Sequence, residues 1–113
     1  MYKISSRKFG DMTIMFERTY FADGWKEMTC CAIQIVKDGK FEYYHGGAVW
    51  NEKDNYNPRT AKFAAFKNAI RKRWEEKHIG VVSFKAYYKH WAKTLAYMMD
   101  NNIIVLRDEE YDN

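Results

Sequence analysis

Between Gly46 and Trp74, in GGAVWNEKDNYNPRTAKFAAFKNAIRKRW, a strand ends, a polar connection follows and a helix begins, and this joint constrains the fold more than any other stretch. Gly46 and Gly47 close a run rich in aromatic and β-branched residues, and Asn51 to Asp54 has the composition of a turn. Asn57 before Pro58 reads as an N-cap followed by proline at the first helical position, where its missing N–H is not needed and its φ is already helical. The chain therefore passes from sheet to helix here.

Upstream, residues 2–6 read as a short strand ended by Ser5, Ser6, Arg7, Lys8 and Gly10. Met12 to Phe21 alternates Ile14, Phe16 and Arg18 against Thr13, Met15 and Glu17 and predicts a longer strand. After a turn at Ala22, Asp23 and Gly24, Trp25 to Val36 predicts a second long strand and Phe41 to Trp50 a third. Lys37, Asp38, Gly39 and Lys40 between them carry the Asp-Gly signal of a type I′ hairpin. Short turns between sequential strands predict an antiparallel meander.

Downstream, a helix is expected from Pro58 to about Lys77, with Gly80 as its stop. Phe63, Phe66, Ile70 and Trp74 form a bulky stripe, and Ala61, Ala65 and Ala69 a smooth one beside it. The expectation is that the bulky stripe packs on the sheet while the alanines admit a second helix. Ser83 is the N-cap of that second helix, Phe84 to about Asp100, whose apolar positions are Phe84, Tyr87, Tyr88, Trp91, Leu95, Met98 and Met99. Ile103 to Leu106 is available as an edge strand. The fold class read here is α+β: a three- or four-stranded antiparallel meander with two amphipathic helices packed on one face. Residues 1–107 form one domain, and 108–113 an acidic, disordered tail.

Ala48, Asn51, Asp54, Pro58, Ala61, Ala69 and Ile70 follow an A-x-x-N-x-x-D-x-x-x-P spacing with a small residue one turn in and an A-L type of ending. In this the joint resembles small bacterial and phage proteins of largely unassigned function, some of which are similar to double-stranded-RNA-binding domains, and one bacterial branch to ribosome-hibernation factors. Asn68 stands where an arginine often precedes the ending, and Ala61, Lys62, Phe63 and Ala64 replace a polar G-x-E-L turn. What the resemblance implies is a double-stranded-RNA-binding-domain-like fold.

Of 113 residues, 47% are hydrophobic and 18% aromatic, enough for a single core and more rings than that core can enclose, so some must reach a surface. Tyrosines half-covering a sheet face are one account of them, and a stacking or protein-contact surface is the other. Cys30 and Cys31 are adjacent and point to opposite faces of their strand, which prevents a mutual bridge and fits reduced thiols. No Cys/His spacing suggests a metal, and His45, His78 and His90 stand far apart. There is no apolar leader in MYKISSRKFGDM and no run long enough for a membrane span, so a soluble cytoplasmic protein is expected, in the host cytoplasm if the source is viral.

Charge is unevenly distributed. From Lys53 to Lys93 there are eleven Lys or Arg against three Asp or Glu, a net +8, which leaves −4 for the rest of a chain whose total is +4. Such a layer attracts phosphate backbones, although solvated helix faces also favour lysine. No Gly-rich phosphate loop, HExxH or nucleophile elbow occurs, and His45 with Glu42 and Asp54 is a weak acid–base set, so no catalytic residue and no cofactor are assigned. Two functions follow. In the first, Arg59, Lys62, Lys67, Arg71, Arg73, Lys85, Lys89 and Lys93 contact nucleic-acid phosphates, RNA or DNA, as the resemblance to double-stranded-RNA-binding domains implies. In the second, Trp25, Tyr43, Tyr44 and Trp50 anchor a host protein or nucleoprotein complex, as in phage accessory proteins that inhibit host defence. A homodimer through the aromatic sheet face is a further expectation.

Overall fold

The computed structural model of the protein describes residues 1–7, 9–20, 26–51, 57–76 and 83–107. The expected turn at Ala22–Gly24, the helix stop at Gly80, the acidic end at 108–113, Trp25 and the Trp50 side chain lie outside the described residues.

The elements are β1 (Tyr2–Ser6), β2 (Gly10–Tyr20), β3 (Lys26–Lys37), β4 (Lys40–Asn51), α1 (Pro58–Glu76), α2 (Phe84–Asp100) and β5 (Val105–Arg107). They form the α+β arrangement read from the sequence. The sheet order is β4-β3-β2-β1-β5, antiparallel throughout except for β5, which runs parallel to β1 and covers its edge. Asp38 and Gly39 both take positive φ, 52° and 74°, as a type I′ turn requires, and the register Lys37↔Lys40, Val36↔Phe41 follows from it. Asn57 Oδ1 accepts the Thr60 amide at 3.1 Å and Ser83 Oγ accepts the Ala86 amide at 3.2 Å, so both helix starts are capped where the sequence places them. Asn102, at φ 56°, then turns the chain from α2 into β5. Among the described residues no helix is long and apolar enough to cross a membrane.

Strand alternation divides the sheet into two faces. Ile4, Met12, Ile14, Cys31, Ile33, Ile35 and Tyr44 point inward under the helices and are buried. Burial pushes the Cys31 thiol up to about 12, with the neighbouring Cys30 adding to the shift, which removes this side chain from nucleophilic chemistry near neutrality. From above, Phe66 and Ile70 of α1 and Tyr87, Trp91, Leu95 and Met98 of α2 complete the core. Burying an aliphatic or phenyl side chain of this size contributes about 1.5–3 kcal/mol, so these residues hold the helical layer to the sheet. Phe9, in the β1–β2 turn, packs edge-on against Tyr87 at 5.1 Å and tilted against Trp91 at 6.0 Å.

The orientation of α1 differs in part from the expectation. Its alanine stripe rests on the sheet: Ala61, Ala65 and Ala69 are buried, and Gly46 of β4 lies directly beneath the helix backbone, while Phe66 and Ile70 of the bulky stripe are buried beside it in the core. A Cβ on Gly46 would collide with the Ala65 carbonyl oxygen and the Ala69 amide nitrogen and come within 2.9 Å of the Asn68 carbonyl carbon. Small residues on both sides let helix and strand approach this closely, and two rings of the bulky stripe reach α2. Phe66 meets Tyr88 at 6.2 Å and Trp74 meets Phe84 at 5.7 Å. Asn68 Nδ2 donates to the Gly47 carbonyl at 2.8 Å, tying the same turn of helix to β4.

Replacing Gly46 with alanine therefore lowers stability by about 3 kcal/mol, the upper end of the overpacking range, because the obstructing atoms are backbone and cannot swing aside. Gly47→Ala is the control. Its added Cβ clashes only with the terminal methyl of Met28, the far end of a flexible side chain, and urea denaturation should find a much smaller loss.

Candidate nucleic-acid interface

The two helices run antiparallel, with Arg59 at the start of α1 paired to Asp100 at the end of α2, and Trp74 at the end of α1 against Phe84 at the start of α2. Between them lies a groove of about 570 Å³. Phe84 and Tyr88, one turn apart on α2, form its floor with nearly parallel rings (21°) whose centroids are 6.1 Å apart. Lys67 and Arg71, also one turn apart, descend from α1: the Arg71 guanidinium sits 4.1 Å over the Phe84 ring, and the Lys67 ammonium 5.7 Å over that of Tyr88. Lys85, Lys89 and Lys93 complete the lining at successive turns of α2, with Ala92 on the next turn after Tyr88.

Among the described residues, five cations and no carboxylate line this groove. Lys85, Lys89 and Lys93 follow at successive turns, so neighbouring cations stand close enough to repel one another, and a bound anion relieves that repulsion. Partial burial raises the Tyr88 pKa, and the phenol remains a neutral hydrogen-bond donor at physiological pH.

Five of the eight cations expected on phosphates thus converge. The other three do not. Arg59 forms a two-point contact with Asp100, at 2.6 and 3.4 Å, and lies 5.5 Å over Phe63. Lys62 reaches the sheet side, 5.7 Å over the Phe16 ring. Arg73 is a correction, because it is buried, 4% exposed, and cannot contact a ligand. Its Nε donates to Glu42 at 3.0 Å, one Nη to the Tyr87 hydroxyl and the other to the Phe9 carbonyl at 3.2 Å. A rigid fork with several donors suits this site; a single ammonium does not.

Among the aromatic anchors, Tyr43 is exposed on the outer face of the sheet, 4.5 Å from the His45 ring. Tyr44 is a second correction: it must point opposite to Tyr43, and it is buried under α1, with 7% exposed. The same parity separates His45 from Glu42, which faces inward to Arg73, and so dissolves that acid–base pair. Among the described residues, no group of three or more His, Cys, Asp or Glu is placed to hold a metal ion.

Phe84 and Tyr88 were legible only as core positions, although they carry a usable signal. In FKAYYKHWAK an aromatic precedes a lysine at Phe84–Lys85 and again one turn later at Tyr88–Lys89, which places rings and charges along one edge of the helix. Compared with known proteins, the chain matches no family model, no curated protein and no solved structure.

Arg73 and the groove cations respond differently to neutralisation. Arg73→Met removes the cation that Glu42, the Tyr87 hydroxyl and the Phe9 carbonyl share, and should lower stability by about 3–5 kcal/mol in urea titrations. Lys89→Met, on the exposed wall, should stay within about 0.5 kcal/mol of the parent.

Proposed function

We propose that this protein is a non-catalytic nucleic-acid-binding module that acts in the cytoplasm and uses the groove between α1 and α2 as its interface. One observation carries the reading: Lys67, Arg71, Lys85, Lys89 and Lys93, from two helices, converge on one concavity that no carboxylate among the described residues lines. Phosphates are the abundant polyanionic partner for such a surface, and counterion release supplies affinity without base-specific contacts.

A second reading is supported by the opposite side of the sheet. Val36, Phe41, Tyr43 and Val49 are 47%, 62%, 45% and 52% exposed on a face that carries no helix. A protein-binding accessory of the phage type would dock there, and its binding would tolerate salt.

Fluorescence anisotropy with labelled RNA and DNA, single-stranded and duplex, separates the two. Neutralising about five phosphates predicts roughly a 100-fold loss of affinity between about 50 and 200 mM salt. Lys85→Glu, Lys89→Glu and Lys93→Glu together should abolish binding. Absence of binding to any of these probes at the lower salt contradicts the proposal and leaves the sheet face as the site to pursue.

A further inference from the structure

Resting on the nucleic-acid reading, the geometry points to a more specific ligand: a single strand, held by an unpaired base that enters the groove against Tyr88 while its flanking phosphates lie on the Lys85–Lys89–Lys93 row. A surface that gripped phosphates alone would need cations and no more. Here two near-parallel rings, 6.1 Å apart, form the floor of the same groove, and both take cations over their faces. Stacking on such rings requires a base face, and in a duplex those faces are hidden in the stack.

The shape of the groove agrees. Phe84, Tyr88 and Ala92 follow at successive turns along α2, and the third of these carries only a methyl group, so the series of rings stops and leaves space beside Tyr88. At about 570 Å³ the groove is of the size that takes a small planar group, within the ~300–1,000 Å³ usual for ligand pockets. The Arg71 guanidinium, 4.1 Å over the Phe84 ring, shows that a planar cationic group already sits on this floor. Tyr88 adds a neutral phenol for an exocyclic group or phosphate oxygen.

The test compares three labelled 12-mers at low salt: oligothymidylate, its duplex with oligoadenylate, and an abasic strand with the same phosphates and no bases. Poly-glutamate of similar length serves as a fourth probe. The expected order is oligothymidylate first, by roughly tenfold for each base held on a ring, over both the abasic strand and the duplex. Phe84→Leu with Tyr88→Leu should remove the preference for oligothymidylate over the abasic strand. Ala92→Phe fills the space without touching charge or floor, and should have the same effect should the double variant not fold.

Equal binding of the abasic strand and oligothymidylate overturns the base-stacking inference and leaves the phosphate-binding module standing, as does tighter binding of the duplex. Poly-glutamate binding as tight as oligothymidylate overturns it in favour of an acidic peptide partner. No binding of any nucleic-acid probe defeats the underlying reading together with the inference.

Discussion

The missing Cβ of Gly46 sets the position of the whole helical layer. Because α1 rests on strand backbone there, through Ala65 and Ala69 and with Asn68 bonded to the Gly47 carbonyl, the helix cannot roll to bring its large side chains onto the sheet. Trp74 instead lies against Phe84 of α2 and Phe63 is only partly buried, while Phe66 and Ile70 fill the core between helices and sheet. Space for a groove between the helices follows from this roll. A helix seated on its phenylalanines would have turned Lys67 and Arg71 elsewhere.

A second constraint fixes the far end. Arg73 joins β4 through Glu42, α2 through the Tyr87 hydroxyl and the β1–β2 turn through the Phe9 carbonyl, in a region otherwise closed by Phe9, Tyr87 and Trp91. Burying a guanidinium is unfavourable unless its donors are satisfied, and here each of three donor nitrogens has an acceptor. Such a network tolerates few alternative arrangements, which makes it a device for register between helices and strands more than a source of net stability. Arg59 and Asp100 close the opposite end of the helix pair, but being exposed they contribute at most about 1 kcal/mol.

Much of this fold was readable along the chain because its signals are local. Alternation marks the strands, Asp38–Gly39 the hairpin, Asn57–Pro58 and Ser83 the helix starts, and all act within four residues of themselves. What failed was non-local. Periodicity shows that α1 has an alanine stripe and an aromatic stripe, yet which of them meets the sheet depends on Gly46, more than a dozen residues earlier in another element. Arg73 reads as surface because arginine usually is, and its acceptors at positions 9, 42 and 87 reveal the exception only in three dimensions. Tyr44 was a different kind of miss, since strand parity already forbade it from sharing a face with Tyr43. Of the site, the lysine row on α2 was visible as a four-residue spacing, whereas the union of Lys67 and Arg71 with that row, over Phe84 and Tyr88, required the antiparallel pairing of the helices.

A backbone contact at the sheet is thus tied to a charged, ring-floored groove on the helices, while Val36, Phe41, Tyr43 and Val49 are exposed on a separate surface, the outer sheet face. Amide NMR mapping tests this division most directly, with assigned resonances followed while single-stranded oligothymidylate is added. The account predicts shift changes concentrated at Lys67, Arg71, Phe84, Lys85, Tyr88 and Lys89, with Val36, Phe41, Tyr43 and Val49 unmoved. Changes confined to those four sheet residues, or a spectrum that does not change at all, would contradict it.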